Sequence, residues 1–152
     1  MTPGRLSKRV VGDRLAWIER MVQEIRSLPL ENKEAFFADR RNVWTAESCL
    51  RRALEALFDL GRHIMAKGFA QGASEYKEIA IGLKERGGLS PAEAEPLRAL
   101  AGYRNRLVHF YREVPPEELY EVCAYRLTDR KRVADGYRRW LGGHPQLLDE
   151  TL

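Results

Sequence analysis

The sequence predicts an all-α fold, a bundle of four or five helices joined by short connections. Apolar residues recur every three or four positions through most of the 152 residues, a spacing that places them along one face of a helix. Glycine and proline interrupt this pattern at intervals and divide it into segments of helical length. No segment has a convincing strand pattern, so we expect a helical bundle without a sheet.

Each helix is predicted from this spacing together with the residues that begin and end it. Pro29 ends the first helix, and Gly68 ends the second long one. Ser90-Pro91-Ala92-Glu93 combines a capping box with proline at the first helical position, and Pro115-Pro116 separates the last two helices. The five predicted helices cover, in order, about residues 6–28, 41–67, 74–85, 91–111 and 117–141, and residues 31–38 can form a short helical entry to the second long helix.

The chain is expected to form one domain over residues 1–141, followed by a flexible tail over residues 142–152. Its 26 basic and 22 acidic residues give a net charge of +4 and a pI near 9.2, which permits nucleic-acid binding without requiring it. Cys49 and Cys123 are far apart and form no CxxC motif, so we expect neither a disulfide framework nor a zinc site. Because we find no signal peptide and no apolar run of membrane-spanning length, we expect a cytoplasmic protein that makes no contact with membranes.

The segment 104–111, Arg-Asn-Arg-Leu-Val-His-Phe-Tyr, carries the most informative chemistry of the chain. Arg104 offers a permanent charge and a planar fork of donors that suits phosphate oxygens. His109 can take or give a proton near neutral pH. Metal-free cleavage of RNA by the 2′-hydroxyl needs a base, an acid for the leaving oxygen and positive charge for the transition state, and Asn105 could orient the phosphate or His109. The alternative is an Arg and a His that merely finish a helix.

The spacing of Arg104 and His109 leaves two arrangements open. Residues five apart lie about 140° apart around a regular helix, whereas Arg106 and His109 are closer helical neighbours. Either the helix end before Pro115 unwinds and moves His109, or a two-fold homodimer brings Arg from one chain to His of the other. The homodimer would also supply two imidazoles, one for each proton transfer.

Other candidate residues have weaker support. Asp59, inside an apolar stretch, either faces solvent or orients a His or Arg of the site. His63 is expected to be a surface or interface residue rather than a catalytic one, and His144 is expected to be incidental. A basic run in the last helix is either a solvated face or a surface that tracks RNA. The residues of this run proposed for RNA binding are Arg126, Arg130, Lys131 and Arg132. No metal-ligand spacing and no glycine-rich phosphate loop occurs, so we expect no metal and no cofactor.

The segment 104–111 resembles the Arg-x4-His-x-Tyr motif of HepT-type toxins in the HEPN superfamily. The similarity extends in order through residues 53–64, 74–80 and 102–105, and covers roughly residues 41–137. It implies an up-and-down HEPN bundle that forms homodimers, with the motif lining a cleft between protomers. It also implies a metal-independent endoribonuclease acting on tRNA or mRNA, with Arg104 and His109 as the catalytic pair and Asn105 as their polar neighbour. From their positions in the sequence, Arg106 and Asp59 are predicted to support this pair.

The same resemblance implies a partner, a small MntA-type nucleotidyltransferase antitoxin. In the family this partner neutralises the toxin by transferring AMP from ATP to the motif tyrosine, which here is Tyr111. A nucleotide two residues from His109 would block RNA by its bulk and by repulsion between phosphates. The resemblance leaves an alternative open, a non-catalytic helical subunit that assists a partner nucleotidyltransferase.

Overall fold

The structure, a computed structural model, describes residues 5–109 and 114–149, and of Val108 and His109 only the backbone. Within these ranges the chain forms seven α-helices, so the all-α prediction is confirmed and the predicted number of four or five is too low. The helices are α1 (Lys8–Arg26), α2 (Lys33–Ala38), α3 (Arg40–Phe69), α4 (Tyr76–Glu85), α5 (Pro91–His109), α6 (Pro116–Tyr125) and α7 (Thr128–Gly142).

The additional helices are α2, which was predicted only as a short helical entry, and the second of α6 and α7, which were predicted as a single helix. Asp39 is extended (φ −126°, ψ 113°) and ends α2, and its carboxylate accepts the amide N–H of Arg41 at 2.9 Å to begin α3. The segment predicted as one last helix is interrupted after Tyr125, where the N–H of Arg126 caps α6 and Leu127 is buried in the core. No glycine or proline marks this second break, because it is imposed by burial of Leu127 rather than by a local turn residue.

The expectation of a fold without strands is wrong in one detail. Leu6–Ser7 (β1) pairs in parallel with Leu148–Asp149 (β2), and a 3-10 helix over Pro145–Leu147 precedes β2. Strands of two residues are too short to show alternation, and their partners come from opposite ends of the sequence. The domain boundary at residue 141 and the flexibility of the tail stay predictions, although residues 145–149 of that tail carry the 3-10 helix and β2.

The helix α3 forms the centre of the bundle and contacts every other helix. Its buried side chains include Leu50, Leu54, Leu57, Phe58 and Ile64, and α1 covers one side of them through Ile18, Val22 and Ile25. Burial of this apolar surface is the main force that holds the helices together. In the described part of the chain, no helix is both long and apolar enough to span a membrane.

Candidate active site

Helix α5 positions Arg104 at the edge of the core. Leu97, Leu100 and Ala101 on this helix are buried. Arg104, one turn after Leu100, continues that face, and its side chain is 15% exposed. The face therefore anchors Arg104 at the boundary between the core and the surface.

The guanidinium of Arg104 has two neighbours. Its Cζ lies 4.1 Å from the ring centroid of Tyr76, and one of its terminal nitrogens lies 3.6 Å from a carboxylate oxygen of Glu55 on α3. The Arg104 Nε is buried and has no hydrogen-bond partner among the described residues. A cation stacked on a ring and paired with a carboxylate keeps its charge while retaining donors for a ligand.

Tyr76 is placed by the start of α4. Glu75 and Glu78 form a capping box, in which the side chain of each accepts the backbone N–H of the other, and Tyr76 is the first residue of the helix. The ring of Tyr76 packs on Phe58 with centroids 5.0 Å apart. The guanidinium of Arg62 lies 5.4 Å from the same ring.

A cleft of about 490 Å³ opens beside this cluster. It is lined by Ser74, Glu75, Tyr76, Lys77, Arg104 and Asn105. Asn105, named from the sequence as the polar neighbour of Arg104, thus lies in the same cleft. The two cations, Lys77 and Arg104, and the amide of Asn105 are groups that bind phosphate oxygens, and Glu75 is the one acid in the lining. The cleft can therefore receive an anionic, nucleotide-sized ligand.

The other two residues of the motif are only partly covered by the structure. His109 is the last residue of α5, and its side chain lies outside the described residues, as does Tyr111. The helix continues unbroken from Arg104 to His109, so the two backbone positions lie on different faces. Of the two arrangements left open by the sequence, an unwinding between Arg104 and His109 is thus not observed in the described chain.

Arg106 joins two helices. Its terminal nitrogens donate to both carboxylate oxygens of Glu118 on α6 at 2.6 and 2.7 Å. This hydrogen-bonded pair lowers the pKa of Glu118 below its usual value. A bidentate pair of this kind fixes α6 against α5 close to residue 109.

Asp59 does not reach Arg104 in the contacts that the structure shows. Its carboxylate is 41% exposed and lies 3.8 Å from Arg62. The acid beside Arg104 is instead Glu55, which lies one turn before Asp59 on the same face of α3. Glu55 was not among the residues predicted from the sequence. The sequence spacing could have indicated Glu55, since Glu55 and Asp59 are four residues apart and therefore share a helix face.

Burial separates Arg130 from the other three residues predicted to bind RNA, which are exposed. Arg130 is buried, with a side chain 6% exposed, and forms an ion pair with Glu19 of α1. It is therefore unavailable to a ligand and belongs to the core. Arg126 contacts Asp129 at 3.6 Å, whereas Lys131 and Arg132 are exposed on α7.

The two other histidines lie away from the cleft. His63 is exposed on α3, and His144 stacks on Trp140 with centroids 4.2 Å apart. Among the described residues, no group of three or more His, Cys, Asp or Glu side chains is arranged to hold a metal ion.

Comparison with known proteins places this geometry in a family. A family model described as ribonuclease HepT-like matches residues 18–135. The tRNA nuclease HepT of Aphanizomenon flos-aquae (strain 2012/KM1/D3) is 23% identical over 118 residues, which cover 78% of this chain and 80% of that protein.

Solved structures share the fold. The tri-AMPylated HEPN toxin of Shewanella oneidensis, in complex with MNT antitoxin, has a TM-score of 0.76 at 20% identity, covering 86% of this chain and 97% of that one. YutE of Bacillus subtilis, a cytosolic protein of unknown function, has a TM-score of 0.73 at 17% identity, covering 94% and 95%. At these identities the structural likeness shows the fold alone. The resemblance inferred from the segment 104–111 is nevertheless confirmed by the match over residues 18–135: the chain belongs to the ribonuclease HepT-like family.

Proposed function

We propose that this protein is an endoribonuclease toxin of a toxin–antitoxin pair and that it acts without a metal ion. The observation that carries the proposal is the Arg104 guanidinium at the wall of a cleft of about 490 Å³ that also contains Lys77 and Asn105. A phosphodiester placed in this cleft would meet positive charge where the transition state develops negative charge. The relative named as a tRNA nuclease makes tRNA the first substrate to test.

In the proposed reaction, the 2′-hydroxyl of the substrate attacks the adjacent phosphorus and the 5′-oxygen leaves. His109 takes the proton of the attacking 2′-hydroxyl and then gives it to the leaving 5′-oxygen, while Arg104 stabilises the anionic phosphorane. Because residues 104 and 109 lie on different faces of the continuous helix α5, we propose that a homodimer combines Arg104 of one protomer with His109 of its partner.

Cleavage of tRNA in the presence of EDTA tests this function. We expect Arg104→Ala and His109→Ala to lower the cleavage rate by about 100-fold or more, the scale of removing one transition-state donor or one proton-transfer group. Arg98→Ala and His63→Ala are matched controls, because both residues are exposed and lie outside the cleft. Intact tRNA with the wild-type protein would refute the nuclease and favour a non-catalytic subunit.

The shared site has its own test. Dimers that combine one His109→Ala protomer with one Arg104→Ala protomer retain at most one intact composite site, whereas neither parent variant retains any. We therefore expect the mixed dimer to recover part of the wild-type rate, up to half for two equal sites. A mixed dimer as inactive as its parents would refute the exchange of residues between protomers.

We propose further that a nucleotidyltransferase antitoxin neutralises the protein by transferring AMP to Tyr111. The similar Shewanella toxin, which is tri-AMPylated and in complex with an MNT antitoxin, supports this proposal. Co-expression with such an antitoxin should add about 329 Da per AMP unit to the intact mass, the mass of a phosphoadenosine adduct. Tyr111→Phe should abolish the addition, and Tyr125→Phe, at an exposed tyrosine of α6, serves as control. An adduct that persists in Tyr111→Phe would refute the assignment.

A further inference from the structure

The ring of Tyr76 lies against the guanidinium of Arg104. The distance from the Arg104 Cζ to the ring centroid is 4.1 Å, the shortest of the cation–ring contacts in the described part of the chain. At this distance the guanidinium rests directly against the π electrons of the ring. Neither the motif spacing nor the chemistry of residues 104–111 assigns Tyr76 a role.

Hydrogen bonds within the described residues do not determine the orientation of this guanidinium. The nearest carboxylate oxygen, on Glu55, lies 3.6 Å from a terminal nitrogen, which is an ion pair but too long for a hydrogen bond. The Arg104 Nε has no partner among the described residues. Charge attraction alone holds a guanidinium near an acid without fixing the direction of its plane. The ring face of Tyr76 therefore supplies the geometric constraint that the ion pair lacks.

Tyr76 is itself held firmly enough to act as a support. Its ring packs on Phe58, which is fully buried, and its backbone begins α4 inside the capping box of Glu75 and Glu78. Arg62 lies 5.4 Å from the same ring. Since the core and a helix cap both fix Tyr76, the ring can transmit a fixed orientation to Arg104.

We infer that Tyr76 is a positioning residue, whose ring fixes the plane of the Arg104 guanidinium so that its donors meet the scissile phosphate. The inference rests on the proposed nuclease function. Bidentate donation to a phosphate requires the guanidinium plane to be aligned with two oxygens, so loss of the support lowers the reaction rate more than substrate binding. The hydroxyl of Tyr76 has no part in this role.

Kinetics of tRNA cleavage by variants of Tyr76 test the inference. We expect Tyr76→Leu to lower kcat by about 10- to 100-fold, the range that follows from misplacing a catalytic group. We expect KM to change by less than about threefold, since other phosphate contacts remain. Tyr76→Phe should retain about the wild-type kcat because it keeps the ring. If Tyr76→Leu fails to fold, Tyr76→Met replaces it, because its flexible side chain can still pack on Phe58 without offering an aromatic face.

Tyr103 provides the matched control. It also lies beside arginine side chains, with ring centroids 6.0 Å from the Arg106 Cζ and 5.9 Å from the Arg126 Cζ. It is adjacent to Arg104 in sequence but forms no ring contact with the Arg104 guanidinium. Tyr103→Leu should therefore keep kcat within about threefold of the wild type, as expected for a group outside the transition-state contacts.

A double-mutant cycle with Arg104→Lys tests whether Tyr76 affects the rate through the guanidinium of Arg104. Lysine keeps the charge but has no plane to align, so adding Tyr76→Leu to Arg104→Lys should lower the single-turnover rate by less than about threefold. An equal loss in both backgrounds would overturn the inference, as would a Tyr76→Leu enzyme with wild-type kcat. Absence of cleavage by the wild-type protein refutes the proposed function itself, whereas cleavage that Tyr76→Leu leaves unchanged refutes only the role of Tyr76.

Discussion

Arg130 offers the sharpest test of how burial changes the role of a basic residue. Its sequence neighbourhood suggests an RNA contact, yet its side chain is 6% exposed and pairs with Glu19 of α1, which is 40% exposed. Burial lowers the pKa of the Arg130 guanidinium, and the charge of Glu19 opposes that shift. The structure therefore predicts that substitution of Arg130 alters stability and leaves intrinsic RNA affinity unchanged.

The magnitude follows from what each substitution removes. Arg130→Ala deletes the two buried methylenes beyond Cβ, about 1.6 kcal/mol at about 0.8 kcal/mol each. The space they leave, beside Val22, Leu50 and Leu100, adds a cavity cost and brings the expected loss to about 2–3 kcal/mol. Arg130→Met keeps most of the volume and removes a buried charge, while Glu19 remains accessible to water. We expect this variant to change the free energy of unfolding by less than about 1 kcal/mol or to stabilise the fold.

Urea unfolding followed by circular dichroism at 222 nm measures these differences, and an unchanged m-value shows that the midpoints can be compared. For a chain of this length, a loss of 2–3 kcal/mol corresponds to a fall in Tm of roughly 5–10 °C. RNA affinity is measured in parallel at a temperature where each variant is folded. The double variant Lys131→Ala/Arg132→Ala is the matched control, because both side chains are exposed on the same helix.

The control should show the opposite behaviour to Arg130→Ala. We expect Lys131→Ala/Arg132→Ala to leave the unfolding free energy within about 0.5 kcal/mol. If these two residues contact the RNA backbone, the logarithm of the binding constant of this variant should fall less steeply with the logarithm of the salt concentration. The change in slope should correspond to the loss of about two phosphate contacts. An Arg130→Ala protein with wild-type stability and weakened RNA binding would refute the assignment of Arg130 to the core.

Two further predictions concern packing around the site. Glu118→Gln should lower the free energy of unfolding at pH 7 by about 0.5–1 kcal/mol, because Arg106 loses its charged partner. Since the folded-state pKa of Glu118 is lowered, its contribution is present above the unfolded pKa and disappears as pH falls through the folded one. Urea titrations at a series of pH values from pH 7 downward should show the difference between the variants shrink as the pH falls. Gly61→Ala should cost about 1–2 kcal/mol net in urea unfolding, because the new Cβ would lie 2.9 Å from the Ile79 Cγ2 and closer still to the Tyr137 hydroxyl. Equal stability of Glu118→Gln and wild type at pH 7, or a Gly61→Ala protein more stable than wild type, would contradict these expectations.

The sequence was sufficient for the class of fold and for the helices with clear ends. The long helix α3 was predicted as 41–67 and observed as Arg40–Phe69, because its apolar stripe faces the core along its whole length and its ends carry local signals. The capping box at Ser90 likewise acts over a few residues, so a local pattern identifies it. The separation of α6 from α7 was missed, because burial of Leu127 depends on residues distant in sequence.

For the site, the sequence by itself determined the chemistry of Arg104, Asn105 and the segment that carries them, because a motif fixes residue types at fixed spacing along one chain. Only the tertiary structure decided that Glu55 and Tyr76 hold Arg104 and that Arg130 belongs to the core. The physical reason is that both decisions depend on which helix faces are packed together. Contacts between helices far apart in sequence are set by the packing of the whole core. The periodicity of one helix shows which of its faces is buried but does not identify the helix that packs against it.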